Sequence, residues 1–161
     1  MNKLEDVIQK LLDSQEKLGI EFNQPADDAS IAAFNTAFKL TLPDELVRLY
    51  KFTNGFATLD ALFRITPLDE CIRELMQYDN GVRGSEFVFA EYMIYSDTWK
   101  VRLKPNNPEL YDIINQNHET EAAVILTNSV ADFLNRYLEG GGVFGDEGLY
   151  KWFEERKALG Y

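Results

Sequence analysis

Residues 42–55 read Leu-Pro-Asp-Glu-Leu-Val-Arg-Leu-Tyr-Lys-Phe-Thr-Asn-Gly and carry signals for both ends of a short helix. Pro43 suits the first turn, where a backbone N–H would lack a partner, and the two acids after it complement the helix dipole. Asn54-Gly55 predicts the left-handed residue that stops a helix. The residues that follow the helical period are Leu46, Leu49, Tyr50 and Thr53.

Further helices are predicted on both sides of this stretch. Residues 3–18 form an amphipathic pattern, and a second helix follows a cap at Asp27, Asp28 or Ser30. Pro67 begins another, and Asn128 or Ser129 caps one near the C-terminus. A glycine run at 140–142 predicts a flexible joint before a helical tail at 146–158, with Asp146 as its cap.

The strongest strand signal lies at residues 86–95, which are rich in aromatic and β-branched side chains. Ser96-Asp97-Thr98 is interpreted as a turn, and residues 99–103 then alternate apolar and basic. Shorter apolar runs occupy residues 62–65, 110–114 and 122–126. Together they predict an α+β fold with a mostly antiparallel sheet of short strands flanked by helices. We expect one domain over residues 1–161, with its core at about 25–139.

Composition limits the classes of protein. Of the 161 residues, 45% are hydrophobic, which favours a folded core over disorder. No apolar run approaches the roughly 20 residues of a membrane helix. The first six residues carry acids where a signal peptide has bases, so we expect a cytoplasmic protein. A single cysteine, Cys71, excludes an internal disulfide and is interpreted as a small buried residue in a helix.

The formal net charge is −11, and the acids are spread over both halves of the chain. Such a surface repels phosphate backbones, so direct binding to nucleic acid is not expected. It would attract a basic protein partner and speed the encounter, although solubility alone is an equally simple explanation.

Motifs of catalysis or of cofactor and metal binding are not evident in the sequence. The single histidine, His118, lies in a polar stretch that lacks the setting of a catalytic triad. Glu91 interrupts an apolar strand. It is either a recognition or acid–base residue, or a residue that lies on the wet face or pairs with Lys100 or Arg102 across a hairpin. The basic row of Lys100, Arg102 and Lys104 either contacts an acidic partner or a phosphate group, or is the solvated side of a strand.

The order of these segments resembles the SMI1/KNR4 superfamily, also called SUKH. The resemblance covers roughly residues 25–139, and its last part is a helix at residues 131–138. Ser96-Asp97-Thr98 stands where many members have a glycine-rich turn in the central hairpin. The other matching residues are Phe34, Leu42-Pro43, Leu46, Leu49, Tyr50, Asn54-Gly55, Phe89-Ala90-Glu91-Tyr92 and the strand at 99–103.

The resemblance implies a protein-binding module without catalysis or cofactor. Bacterial members are commonly immunity proteins that neutralise a nuclease or deaminase toxin, and fungal members are regulatory scaffolds connected with cell-wall synthesis. We expect an immunity protein with a basic partner, and a scaffold for a cellular protein or a hydrolase with paired carboxylates as alternatives. The candidate partner-binding residues are Glu91, Tyr92, Tyr95, Asp97 and Trp99.

Overall fold

The computed structural model describes residues 3–59, 62–79, 85–116 and 121–161. In these ranges the helices are α1 (Lys3–Asp13), α2 (Gln15–Leu18), α3 (Asp28–Phe38), α4 (Asp44–Phe52), α5 (Leu68–Glu74), α6 (Val130–Glu139) and α7 (Leu149–Ala158). The strands are β1 (Glu21–Phe22), β2 (Phe56–Ala57), β3 (Phe63–Ile65), β4 (Glu86–Tyr92), β5 (Asp97–Leu103), β6 (Tyr111–Asn115) and β7 (Val124–Thr127). A π-helical segment, Leu75–Asp79, continues α5.

The seven strands form one sheet in chain order, and every neighbouring pair is antiparallel. The predicted α+β class, with a mostly antiparallel sheet and flanking helices, is confirmed. The pattern did not predict β1 and β2, because strands of two residues carry no measurable alternation.

Aromatic side chains from helices and strands meet in the core. Phe34 and Phe38 of α3 stack on each other and contact Phe87 of β4 edge to face. Phe133 of α6 contacts both Phe89 and Trp99. Such aromatic pairs add to the stabilisation that comes from burying their large apolar area. The sheet therefore packs on α3 and α6 through aromatic contacts.

The stretch at residues 42–55 forms α4, although two details differ from the prediction. Pro43 is the residue before the first turn, and the helix ends at Phe52 with an extended Thr53. Asn54 does not stop α4; its side chain accepts a hydrogen bond from Leu68 N at 2.9 Å, at the start of α5. Gly55 has φ 85°, and a Cβ there would overlap the carbonyl oxygen of Ile65.

Glu45 of α4 joins distant parts of the chain at one end of the sheet. Its carboxylate accepts hydrogen bonds from the Tyr111 hydroxyl, from Ser129 Oγ at 3.1 Å and from Val130 N at 2.7 Å. Glu45 thus satisfies donors at the start of both β6 and α6. We call Glu45, Tyr111, Ser129 and Val130 the junction end of the sheet.

The predicted caps have mixed outcomes. Asp27 accepts a hydrogen bond from Ser30 N and caps α3, and Ser129 caps α6, as predicted. Asp146 is not the cap of the tail helix, because Gly148 precedes the first residue of α7. The predicted helix at residues 3–18 is divided into α1 and α2 at Ser14.

The glycine run is a close-packed loop and not the predicted flexible joint. A Cβ on Gly140 would overlap the carbonyl oxygen of Glu147, so a side chain there has no room. Backbone bonds also cross the loop, including Gly142 N to Tyr137 O at 2.9 Å and Leu149 N to Gly142 O at 3.0 Å. These contacts fix the position of the loop between α6 and α7.

Helix α7 packs beside the outer strand β7. Arg156 Nε donates to the carbonyl oxygen of Ile125 at 3.1 Å, and the side chains of Leu149 and Phe153 are buried. One side of the tail helix therefore packs on the rest of the fold. In the described ranges, no helix has the combined length and apolar character needed to cross a bilayer. Cys71 is buried, as predicted.

Candidate functional site

A set of large apolar side chains is exposed at the end of the sheet opposite the junction end. Phe144 lies on the glycine loop and is 66% exposed, and the others come from the β2–β3 connection and the β4–β5 turn. We call this set the hairpin-end surface. Its members are Leu59, Leu62, Met93, Ile94, Tyr95 and Phe144.

Backbone and ring contacts bring these segments together. Met93 N donates to the carbonyl oxygen of Leu62 at 2.7 Å, which joins the turn to the residue before β3. The Phe144 ring contacts the Tyr92 ring edge to face at 5.3 Å between centroids. Leu62, Tyr92 and Phe144 line an open groove of about 320 Å³, together with Leu59, Leu18 and Lys17. Exposed apolar area of this kind is typical of a surface that binds another protein.

The β4–β5 turn differs from the sequence prediction. Tyr92 pairs with Asp97 as the last pair of the hairpin, so the turn is Met93–Ser96 and not Ser96–Thr98. Strand β4 ends three residues before the predicted position, although Met93, Ile94 and Tyr95 favour strand by composition. A tertiary constraint therefore overrides local preference here.

Three consecutive residues of this turn have left-handed backbone conformations. The φ angles are 50° at Met93, 53° at Ile94 and 62° at Tyr95. This region costs roughly 1–2 kcal/mol for each L-residue with a side chain, and a β-branched residue such as Ile94 rarely occupies it. Strained conformations of this kind cluster at functional sites, where surrounding contacts hold them.

Glu91 is the main support of the turn. Its side chain is only 2% exposed; Oε1 accepts from Arg64 Nε at 2.7 Å, and Oε2 accepts from Tyr95 N at 2.6 Å. The predicted pairing with Lys100 or Arg102 is wrong, because Glu91 lies opposite Thr98 on β5 and opposite Arg64 on β3. Glu91 therefore acts within the fold and is not a surface contact.

Helix α5 completes this cluster. Arg64 also donates to Glu70 at 2.9 Å, so one guanidinium binds two carboxylates. Burial by itself would lower the pKa of Arg64, but the hydrogen bond to Glu91 and the charge of Glu70 raise it above its ordinary value. The guanidinium thus stays charged and fixes the orientation of Glu91.

The Tyr95 side chain also interacts with the same helix. Burial and the interaction of its hydroxyl with Glu74 raise the pKa of Tyr95 far above its ordinary value. Burial also raises the pKa of Glu74. We call Arg64, Glu70, Glu74 and Glu91 the clamp. It holds the turn at the backbone amide of Tyr95 and at the Tyr95 side chain.

The other predicted partner-binding residues have different environments. Trp99 is wholly buried against Phe63 and Phe133, so it is a core residue and not available to a partner. Asp97 accepts a hydrogen bond from Asn115 Nδ2 at 3.1 Å, and burial together with the charge of Asp97 raises the pKa of Tyr150. Tyr92 is half-buried beside Phe144, and Tyr95 remains partly exposed.

Sequence reasoning did not find several residues of this site. Leu59, Leu62, Ile94 and Phe144 come from three loops. The pairing of β3, β4 and β5 places two of these loops at one end of the sheet, and the contact with Tyr92 brings Phe144 to them. A sequence signal was present for Ile94, because it lies only two residues before Ser96-Asp97 and could have been placed in the turn and not in the strand.

The basic row on β5 faces away from the core, which agrees with the interpretation that it is the solvated side of a strand. Arg102 pairs with Glu86 at 3.0 Å and Lys104 pairs with Asp112 at 3.3 Å, both across neighbouring strands. These pairs offset the positive charge of the row. His118 lies outside the described residues. Within the described part of the chain, no three His, Cys, Asp or Glu side chains are grouped to hold a metal ion.

Comparison with protein families agrees with this architecture. The model of the SMI1 / KNR4 family (SUKH-1) matches residues 25–136, which run from three residues before α3 into α6. The chain belongs to this family. The matched range contains α4, the clamp and the β4–β5 turn, while α1 and α7 lie outside it. Comparison with curated proteins gave no match.

Proposed function

We propose that this SMI1/KNR4 protein is a non-catalytic binder that neutralises a basic partner, as an immunity protein does with a toxin of the nuclease or deaminase type. The observation that carries the proposal is the hairpin-end surface. Exposed apolar side chains on a clamped turn offer a rigid contact area, and a rigid surface loses little conformational entropy when it binds.

Charge supports the choice of partner. The net charge of −11 favours encounter with a positively charged surface, and a toxin that acts on nucleic acid needs such a surface to hold its substrate. An acidic protein bound there would compete with the phosphate backbone. The rate of association would then fall as added salt screens the charges.

The proposal predicts that a toxin gene lies beside this gene, and it is tested by co-expression with that toxin domain. We expect rescue of growth, a one-to-one complex in light scattering, and an association rate that falls at least tenfold between 50 and 500 mM salt, conditions that change the screening length severalfold. An unrelated acidic protein of similar size serves as the control. Failure to bind or to rescue would contradict the proposal.

A regulatory scaffold that binds a cellular protein is the second candidate. It uses the same hairpin-end surface and differs only in the origin of the partner. Binding to a protein of the host cell, with no protection from the neighbouring toxin, would favour it.

The hydrolase alternative has weaker support. Asp112 and Asp132 do line one cleft beside α7, of about 440 Å³. Both carboxylates are already paired, however: Asp112 with Lys104 at 3.3 Å and Asp132 with Lys3. Asp132 also accepts from Thr127 Oγ1. These contacts favour a structural role for both acids.

A further inference from the structure

We propose that Ile94 is a preformed anchor that inserts into an apolar pocket of the partner rimmed by basic side chains, and that Glu91 is the residue that positions it. This inference rests on the proposed function and names the mode of binding. Ile94 is 89% exposed at the tip of the β4–β5 turn. No other apolar side chain of the hairpin-end surface is as exposed.

The turn holds this conformation without a partner. Tyr95 N donates to Glu91 at 2.6 Å, and both Ser96 N and Ser96 Oγ donate to the carbonyl oxygen of Met93, at 3.2 and 2.8 Å. With Met93 N bonded to Leu62 O, the amides on both sides of Ile94 are fixed. The conformational cost is therefore borne during folding, and the side chain meets the partner already ordered.

The charges around the turn indicate which side chains would surround the partner's pocket. Glu70 and Glu74 of α5 and Asp97 of β5 lie beside the turn, and Arg64 is already shared between Glu70 and Glu91. Lys17 lines the groove that borders Leu62 and Phe144, and none of the four residues of the turn lines that groove. The surroundings of Ile94 thus carry net negative charge. A basic rim complements them, whereas a second copy of this chain or an anionic bilayer would be repelled.

The first test measures binding to the inactivated toxin domain encoded beside this gene. We expect Ile94→Asp to weaken the affinity at least 30-fold, the scale of a hot-spot residue of about 2 kcal/mol. Leu159→Asp is the matched control, because Leu159 is 72% exposed but lies beyond α7. That variant should bind within twofold of the unchanged protein. Ile94→Leu should keep most of the affinity.

The second test addresses the positioning role of Glu91. We expect the Tyr95 amide proton of the unchanged protein to resonate far downfield and exchange slowly, because it donates a short bond to a carboxylate. Glu91→Gln should move this resonance upfield and weaken binding several-fold. Ser96→Ala loosens the turn without touching the ion pair and should also weaken binding. If Glu91 had only a structural role, Glu91→Gln would lower thermal stability and leave the affinity of the folded protein unchanged.

Outcomes of these tests separate the two proposals. If the unchanged protein binds and Ile94→Asp binds equally well, the anchor is wrong and the proposed function stands. If the unchanged protein does not bind the toxin domain, both proposals are contradicted. Self-association that Ile94→Asp abolishes would show that the anchor serves a second copy of the chain, and it would overturn the basic-rim assignment.

Discussion

The two ends of the sheet are built differently. At the junction end, Glu45 satisfies donors from β6 and α6, and the Tyr111 hydroxyl that binds it also accepts from Val130 N at 2.7 Å. At the hairpin end, the polar clamp supports a strained backbone, and the apolar side chains of the turn are exposed. At the junction end the hydrogen bonds join separate elements of the fold, whereas at the hairpin end they hold a turn whose apolar side chains are exposed.

This difference supports the proposed role of the hairpin end in binding. A turn shaped only by stability would have glycine or asparagine in left-handed positions, because these residues adopt them at little cost. Met93, Ile94 and Tyr95 occupy all three positions instead. Contact with another molecule gives a reason for this choice that stability does not. The following variants test whether stability and binding are separated between the two ends.

The largest change in stability is expected at the junction end. Glu45→Gln removes the charge that accepts three hydrogen bonds, so the free energy of unfolding should fall by about 2–3 kcal/mol. Urea unfolding measures the change. The affinity for the partner should stay within twofold at temperatures where the variant is folded. Weaker binding by the folded variant would show that the two ends are coupled.

The opposite pattern is expected for Ile94→Gly. Removing the side chain at a φ of 53° relieves strain, and we expect the free energy of unfolding to rise by about 1 kcal/mol. Partner binding should be lost together with the anchor. The control is Leu159→Gly at the far end of α7, which should not become more stable. A decrease in stability for Ile94→Gly would mean that the turn is not strained.

The smallest effect concerns Glu74. The pKa of Glu74 is raised in the folded protein, so folding favours the neutral carboxyl. The contribution of this neutral form to the free energy of unfolding is present below about pH 4.5 and is lost as the pH rises through the folded pKa. Glu74→Gln should therefore stabilise the protein at pH 7, by no more than about 0.5 kcal/mol, and have less effect at pH 4. Thermal unfolding at both pH values measures this. A gain that is larger at pH 4 would contradict it.

Local patterns predicted much of the fold. The helix after Pro43, the caps at Asp27 and Ser129 and the alternation of residues 99–103 all depend on near neighbours, and the structure contains each of them. Glu45 illustrates the limit. The sequence explains it as an acid in a first helical turn, but its partner Val130 is 85 residues away. Contacts at such separations leave no local pattern.

The candidate site was predicted less well for the same reason. Tyr92 and Tyr95 lie at the hairpin end, but Trp99 is buried and Glu91 faces Arg64. Composition favoured a strand through Tyr95, while the clamp from α5 and β3 holds those residues in a turn. Likewise, the glycine run was predicted to be a flexible joint because close approach of backbone atoms is not visible in sequence.

The construction of the turn separates the residue at its tip from the residues that hold its shape. Its shape depends on the backbone, on Glu91 and on Ser96, while the side chain of Ile94 extends into solvent. Recognition specificity can therefore change by substitution at the tip without loss of folding. If the proposed function holds, a new specificity requires a change at one exposed residue and none in the contacts that hold the turn.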